Sequence, residues 1–296
     1  MRRVLTAALI LAFVGAIAFV WLTAPRRADA AEYANLTGKA AAGEAVFWAT
    51  GCASCHMAPG ASGDAQMILA GGQRFVTGFG TFHSPNISPD PDQGTGGWTL
   101  TAFASAVTRG VSPEGAHYYP AFPYAAYRNL APQEVADLKA YIDTLPASAA
   151  KSLPHELAFP LSIRRLLGGW KLLFATEGWV VPDPLSPVQA RGRHLAEAMA
   201  HCGECHTPRN ALGGLIRSRW MQGAPNPSGK GTIPGITPSQ LDWSETEIAE
   251  MLATGFTPEY DSVGGSMAHV VENFVRLTQD DRNAVAAYLK IVPPAD

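Results

Sequence analysis

The sequence predicts an all-α protein, with two tandem helical domains and long glycine- and proline-rich loops behind an N-terminal transmembrane helix. Three observations support this prediction. Residues 4–24 contain no charged side chain, and a C-x-x-C-H sequence occurs twice, at 52–56 and 202–206. No segment shows the sustained two-residue alternation of apolar and polar side chains that is typical of strands. The 29 glycines and 23 prolines follow no repeat and therefore indicate loops.

Residues 4–24 are long enough to cross a bilayer as a helix. At a rise of 1.5 Å per residue they reach about 31 Å, and the hydrocarbon core is about 30 Å thick. Arg2 and Arg3 precede the run, which by the positive-inside rule leaves the N-terminus in the cytoplasm and the rest of the chain outside. Residues 28–30, Ala-Asp-Ala, resemble a signal-peptidase site. We favour an anchor, and a cleaved signal ending near Ala30 stays open.

The charge distribution excludes one class of partner. The formal net charge is −3 and the first 30 residues contribute +3, so the remainder carries −6. Binding to nucleic acid needs clustered Lys and Arg against the phosphates. We therefore expect no nucleic-acid partner.

An internal repeat defines the two domains. Cys202 lies 150 residues after Cys52, and Tyr288 lies 147 residues after Tyr141 in a matching amphipathic helix. The capped helices that begin after Thr99 and Ser244 occupy equivalent places. The predicted organisation is an anchor or signal segment at 1–30, a first domain at 35–146, a connecting strap at 147–187 and a second domain at 188–293.

The C-x-x-C-H sequence has a specific chemistry. Two thiols separated by two residues can add to the two vinyl groups of one haem, and the adjacent histidine then lies beneath the iron. A zinc site built from two C-x-x-C pairs usually has its halves about 15–20 residues apart. We therefore predict two covalently bound haem c groups, which also supply the core that such small domains lack. The predicted haem-binding residues are Cys52, Cys55 and His56 in the first domain and Cys202, Cys205 and His206 in the second.

The sixth iron ligand differs between the two copies. In the second, Met267 stands in the loop at 264–271 and is the natural distal ligand. The equivalent position in the first copy is Phe122, which cannot bind iron. We favour His117, in the same loop, as the ligand of the first haem. His83 and an open or water-bound position remain alternatives.

Two tryptophans occupy matching places in the repeat, each just before a capped helix. The indole N–H groups of Trp98 and Trp243 could donate hydrogen bonds to haem propionates. Simple packing of these rings against the porphyrin edge is an equally good interpretation.

Five stretches of the chain resemble the class I c-type cytochromes. More narrowly, they resemble the cytochrome subunit of bacterial membrane-bound alcohol and aldehyde dehydrogenases. The resemblance extends over about residues 35–293 and implies all-helical haem domains with His/Met ligation. Two departures are clear, because those subunits carry three C-x-x-C-H sites and have methionine where Phe122 stands. The stretches are residues 80–90 (GTFHSPNISPD), 96–103 (GGWTLTAF), 118–127 (YYPAFPYAAY), 201–214 (HCGECHTPRNALGG) and 264–271 (GGSMAHVV).

The resemblance implies a function in electron transfer. We expect a carrier rather than an enzyme, held in the bacterial inner membrane with its haem domains in the periplasm, or soluble in the periplasm after cleavage. Its expected donor is a periplasmic dehydrogenase, and its expected acceptor is a cytochrome or terminal oxidase of the respiratory chain. The alternative is a di-haem oxidoreductase, a peroxidase or an enzyme of sulfur-compound oxidation, with the first haem as catalytic site.

Overall fold

A computed structural model describes residues 1–227, 229 and 231–294. An N-terminal helix leads into two helical units joined by a strap that contains one helix. The leader and first unit contain α1 (Arg2–Leu22), α2 (Ala30–Tyr33), α3 (Ala40–Thr50), α4 (Cys52–His56), β1 (Arg74–Thr77), β2 (Gly80–His83), α5 (Leu100–Arg109), α6 (Tyr124–Tyr127) and α7 (Pro132–Ile142). The strap and second unit contain α8 (Leu166–Phe174), α9 (Pro187–Arg193), a π-helical turn (His194–Met199), α10 (Cys202–His206), β3 (Ala224–Pro225), β4 (Thr232–Ile233), α11 (Glu245–Thr254), α12 (Ser266–Phe274) and α13 (Gln279–Leu289). Two 3₁₀ turns lie at Gly63–Met67 and Arg217–Arg219.

The expectation of no β-structure was wrong in two places. Strands β1 and β2 form an antiparallel hairpin in which Arg74 pairs with His83. Strands β3 and β4 form a second one, in which Ala224 pairs with Ile233. Strands of four and two residues are too short for a two-residue alternation to stand out in the sequence.

The same helix crossing forms the centre of each unit. Helix α3 packs against α7, and α9 packs against α13. A Cβ atom at Gly43 would lie 1.9 Å from the carbonyl oxygen of Asp137, and one at Gly192 would lie 1.8 Å from that of Ala284. Glycine at these two positions therefore lets the backbones of the paired helices come into direct contact.

The predicted helix caps are confirmed. The hydroxyls of Thr99 and Ser244 each accept a hydrogen bond from the backbone N–H three residues further along. Helices α5 and α11 end at Gly110 and Gly255, both with positive φ. A left-handed residue at this position satisfies the last carbonyls of a helix, and glycine adopts it without strain.

Helix α1 has no buried residue, and its mean hydropathy is 2.5. Among the described residues it is the one helix whose length and composition suit a membrane crossing.

The C-terminal end of α1 is fixed to the rest of the protein through Thr23, which is buried. The carbonyl oxygen of Thr23 lies 3.0 Å from Nε2 of His117. The guanidinium of Arg165 donates to the carbonyl oxygen of Val20 and, over 3.1 Å, to Oγ1 of Thr23. A Cβ atom at Gly168 would lie 2.3 Å from the Thr23 carbonyl oxygen. These contacts satisfy carbonyl groups that a helix end leaves without an internal partner.

The strap is bonded to both units. Nζ of Lys171 donates to the last carbonyls of α5 over 2.6 and 2.7 Å, and the indole N–H of Trp170 donates to the carbonyl of Leu212 over 2.9 Å. Further along, the buried carboxylate of Glu197 accepts from the backbone N–H groups of Val180 and Val181, over 2.7 and 3.1 Å. The strap therefore holds the two units in contact along its length.

Candidate haem attachment sites

Each C-x-x-C-H sequence forms a short helix that follows a sharp reversal of the chain. Gly51, before Cys52, has φ +65°, and His201, before Cys202, has φ +42°. The left-handed conformation costs a non-glycine residue about 1–2 kcal/mol. The second unit keeps it with histidine, which shows that the packing around this turn determines the backbone geometry. The turn brings the two cysteines and the following histidine onto one helical turn in both units.

The four cysteines form no disulfide with one another. Desolvation raises the pKa of the Cys52 thiol to about 11 and that of the Cys202 thiol to about 12, so each is a protonated thiol until haem is attached. Among the residues that the structure describes, no three His, Cys, Asp or Glu side chains come together as a metal-binding cluster. The two cysteine pairs therefore form separate sites.

The two histidines are held in the same way. Nδ1 of His56 lies 2.8 Å from the carbonyl oxygen of Pro85, and Nδ1 of His206 lies 2.8 Å from that of Pro234. A carbonyl only accepts, so Nδ1 carries the proton and Nε2 carries the lone pair. Burial lowers the pKa of both imidazoles, which keeps them neutral. Two thiols and a neutral imidazole with an oriented Nε2 fit the donor set of a covalently bound haem.

The attachment segments of the two units adjoin. Nδ2 of Asn273, in α12 of the second unit, donates over 2.9 Å to Oγ of Ser54, which lies between the cysteines of the first. The pKa of the Cys55 thiol is raised to about 11, first by desolvation and then by the neighbouring Cys205. Sequence analysis could not find this contact, because Ser54 and Asn273 are 219 residues apart.

Two rings lie between the attachment segments. The rings of Tyr127 and His201 meet edge-on with their centroids 5.5 Å apart. The Tyr127 hydroxyl donates to the carbonyl of Thr50 over 2.8 Å. Burial raises the pKa of Tyr127 and lowers that of His201, so both are neutral. The boundary between the units is therefore an uncharged, tightly connected contact at this point.

Met267, the predicted distal ligand of the second site, lies in the first turn of α12. Its side chain is partly buried and packs against the hydrophobic core. In the first unit, Phe122 lies among three tyrosine rings, those of Tyr118, Tyr124 and Tyr127, at centroid distances of 6.1, 6.3 and 5.8 Å.

The two histidine candidates of the first unit have other contacts. His117 is buried, and because its Nε2 faces the carbonyl oxygen of Thr23, this nitrogen is a donor and cannot bind iron while the contact lasts. Nδ1 of His117 is buried and has no partner among the described residues. His83 places Nδ1 2.9 Å from the carbonyl oxygen of Pro154. Ligation by His117 therefore stays a prediction, and the free nitrogen is Nδ1.

Trp98 and Trp243 are partly buried and pack against the hydrophobic core. Within the described part of the chain, neither indole N–H donates a hydrogen bond to the protein. The proposed bonds to haem propionates also stay predictions.

Two stretches of the chain, residues 40–146 and 189–292, match the family model described as "Cytochrome c". The chain belongs to the cytochrome c family. It is 57% identical over 293 residues to "Diheme cytochrome c-type" from Cereibacter sphaeroides, with 99% of each chain covered. The match confirms that this cytochrome binds two covalent haem c groups.

The chain is also similar to cytochrome subunits of dehydrogenases, which confirms the resemblance seen in the sequence. It is 37% identical over 253 residues to "Fructose dehydrogenase cytochrome subunit" from Gluconobacter japonicus, covering 83% of this chain and 51% of that one. It is 33% identical over 268 residues to "Alcohol dehydrogenase (quinone), cytochrome c subunit" from Gluconobacter oxydans, covering 85% of this chain and 54% of that one. The cytochrome thus spans about half the length of these subunits.

Proposed function

We propose that this cytochrome transfers single electrons at the periplasmic face of the bacterial inner membrane, from an exported dehydrogenase to a cytochrome or terminal oxidase. The names of the relatives support a dehydrogenase as donor. The observation that carries the proposal is the contact between the two attachment segments, through Ser54 and Asn273 and through the rings of Tyr127 and His201. A relay needs its two centres close together.

Each unit supplies the same donor set at its attachment site. Haem c supplies a one-electron couple. Pro85 and Pro234 orient the imidazoles through their carbonyl groups, and Met267 supplies the distal thioether of the second site. The two domains extend over 35–146 and 188–293, with the strap at 147–187 between them. The residues that attach and ligate the haems are Cys52, Cys55 and His56, and Cys202, Cys205 and His206.

The first site differs because Phe122 replaces the methionine. We assign Nδ1 of His117 as its sixth ligand, since this nitrogen is buried, carries the lone pair and has no protein partner in the described part of the chain. A nitrogen ligand stabilises ferric iron more than a thioether does, so the first haem has the lower potential and electrons collect at the second. The second candidate function is a di-haem oxidoreductase with an open first site, which is favoured by the absence of a ligand atom in Phe122.

Low-temperature EPR of the ferric holoprotein separates the two functions. The relay gives two low-spin species; Met267→Ala converts one of them to high-spin and His117→Ala converts the other. Arg165→Ala is the control, because it removes another contact to Thr23 and leaves His117 in place. High-spin iron in the wild type would overturn the relay in favour of the oxidoreductase. An unchanged spectrum in His117→Ala, or the same change in Arg165→Ala, would show that His117 only supports the end of α1.

We also assign α1 as an uncleaved anchor. Cleavage near Ala30 would remove Thr23 and Ala28, both buried, and with them the hydrogen bond from the Ala28 N–H to Ser105 Oγ over 3.1 Å. It would also remove the bond from Arg27 to the carbonyl of Pro113 over 2.5 Å. The purified mature protein should therefore retain α1 and stay with membranes after a high-salt wash. A mature N-terminus at Ala31 would contradict this assignment.

A further inference from the structure

Helix α8 of the strap exposes three leucines. The exposed fractions of Leu166, Leu172 and Leu173 are 43%, 55% and 64%. The opposite side of the helix is occupied, since Trp170 and Lys171 donate to the two haem domains and Phe174 packs against Gly214. The leucines therefore belong to a face that the protein itself does not cover.

One edge of this face adjoins the end of α1. Arg165, Gly168 and Leu172 are spaced by three and four residues, which places them on one side of a helix. Arg165 binds the carbonyl of Val20 and the hydroxyl of Thr23, and Gly168 lies against the Thr23 carbonyl. Leu172 continues the same side by one turn. Leu172 consequently lies beside the last turn of α1, and Leu166 and Leu173 lie about 100–120° further around α8.

The end of α1 indicates where the surface of the bilayer lies relative to α8. The helix is apolar on every side and has no buried residue up to Leu22, so hydrocarbon must cover it close to its end. Val20, the residue that Arg165 contacts, is only about 3 Å along the helix axis from Leu22. Helix α8 therefore lies at the boundary where α1 leaves the membrane.

The composition of the segment suits a lipid surface. Residues 158–174 contain three basic side chains and no acidic one, in a chain whose net charge is −3. Nothing in this segment would repel anionic headgroups. An amphipathic helix that binds a membrane surface lies in the interface plane, with its apolar face about 5–10 Å into the headgroup and acyl boundary.

We propose that α8 is a second membrane contact, in which Leu166, Leu172 and Leu173 insert into the outer leaflet next to α1. The proposal rests on the assignment of α1 as an anchor. It goes beyond anchoring, because one transmembrane helix leaves the haem domains free to rotate and tilt, whereas a second contact fixes their orientation. The strap would then join the two haem domains and also align both with the membrane.

Site-directed spin labelling of the full-length holoprotein tests the proposal in vesicles of phosphatidylcholine and phosphatidylglycerol. The native cysteines are consumed by the haem thioethers, so Leu172→Cys gives one labelled position. Val275→Cys is the matched control, since Val275 is 53% exposed and follows α12 in the second domain. We expect the label at 172 to collide with oxygen and to be protected from a water-soluble nickel chelate, at a depth of about 5–10 Å. The label at 275 should be open to the chelate.

A third label, at Phe13 in the middle of α1, distinguishes the possible failures. If the label at position 13 is in lipid but the label at position 172 is in water, α1 is an anchor and the proposed second membrane contact is wrong. Water at both positions would overturn the anchor and the second contact together. The label at position 172 could instead be open to the chelate in pure vesicles but shielded in native membranes, where it also cross-links to another protein. In that case the leucine face is a protein-docking surface and the proposal is wrong. If the labelled Leu172 variant changes the haem spectrum, Leu173→Cys replaces it.

Discussion

Substitution of Gly192 by alanine tests the helix crossing on which each haem domain is built. The added methyl carbon would lie 1.8 Å from the carbonyl oxygen of Ala284 and 2.7 Å from Cβ of Tyr288. To restore even a 3.0 Å contact, α9 and α13 must separate by more than 1 Å, because both obstacles are on or next to the backbone. Overpacking of this kind costs about 1–3 kcal/mol, and alanine recovers about 0.5–1 kcal/mol through its helix propensity.

The net loss in the free energy of unfolding is therefore about 1 kcal/mol, within a range of about 0–2.5 kcal/mol. For a domain of roughly 100 residues, each kcal/mol lowers the Tm by about 4–8 °C. Thermal unfolding of the holoprotein, followed by far-UV circular dichroism and by haem absorbance, measures the change. Gly43→Ala should lower the stability of the first domain in the same way, since its Cβ would lie 1.9 Å from the Asp137 carbonyl oxygen.

Gly169→Ala is the matched control. It also lies within a helix, but the nearest atom to its added Cβ is 4.0 Å away. This variant gains only the propensity term and should be as stable as the wild type or slightly more stable. If Gly192→Ala unfolds at the same temperature as Gly169→Ala, the close crossing of α9 and α13 is not what selects glycine at position 192.

Three further predictions concern the strap. Gly168→Ala should loosen the end of α1 and speed tryptic cleavage at Arg26 and Arg27, whereas Gly169→Ala should not. Equal cleavage rates in the two variants would contradict the close contact between Gly168 and Thr23. Glu197→Ala leaves the N–H groups of Val181, which is buried, and Val180, which is partly buried, without an acceptor and should lower the free energy of unfolding in urea by about 1–3 kcal/mol, more than Glu197→Gln does. Desolvation lowers the pKa of Lys171 from 10.5 to about 7, so the unfolded state binds more protons between these pH values. The free energy of unfolding should therefore rise between pH 7 and pH 10, and Lys171→Met should reduce this dependence on pH. If the variant shows the same dependence on pH as the wild type, Lys171 is not its source.

The chemistry of this cytochrome was readable in the sequence where it is local. A C-x-x-C-H sequence brings its own thiols and imidazole together within one helical turn, and the caps at Thr99 and Ser244 lie within three residues of their partners. The internal repeat extended these local patterns to two domains. The family and the two haem groups followed from such patterns.

Contacts between distant parts of the chain were not readable in this way. The histidine at 117 was assigned to iron from its place in the loop, and no local pattern indicates that the end of α1, 94 residues away, engages its Nε2. The bond between Ser54 and Asn273 joins two ordinary polar residues with no signature of their own. The sequence did not predict the hairpin β1–β2, because a strand of four residues is too short for a two-residue alternation of side chains to be recognised.

The buried position of Thr23 affects how the haems find their redox partners. A flexible linker of n residues lets a tethered domain sweep about 5–6 Å × √n from its anchor, as a mobile carrier requires. Here only four residues separate buried Thr23 from buried Ala28, and the helix end is bonded directly to the first haem domain and to the strap. With α1 in the bilayer, the haem pair has no such reach. Its redox partners must then come to the haem pair, and for a membrane-bound partner this encounter is a two-dimensional search by lateral diffusion unless the two are permanently assembled.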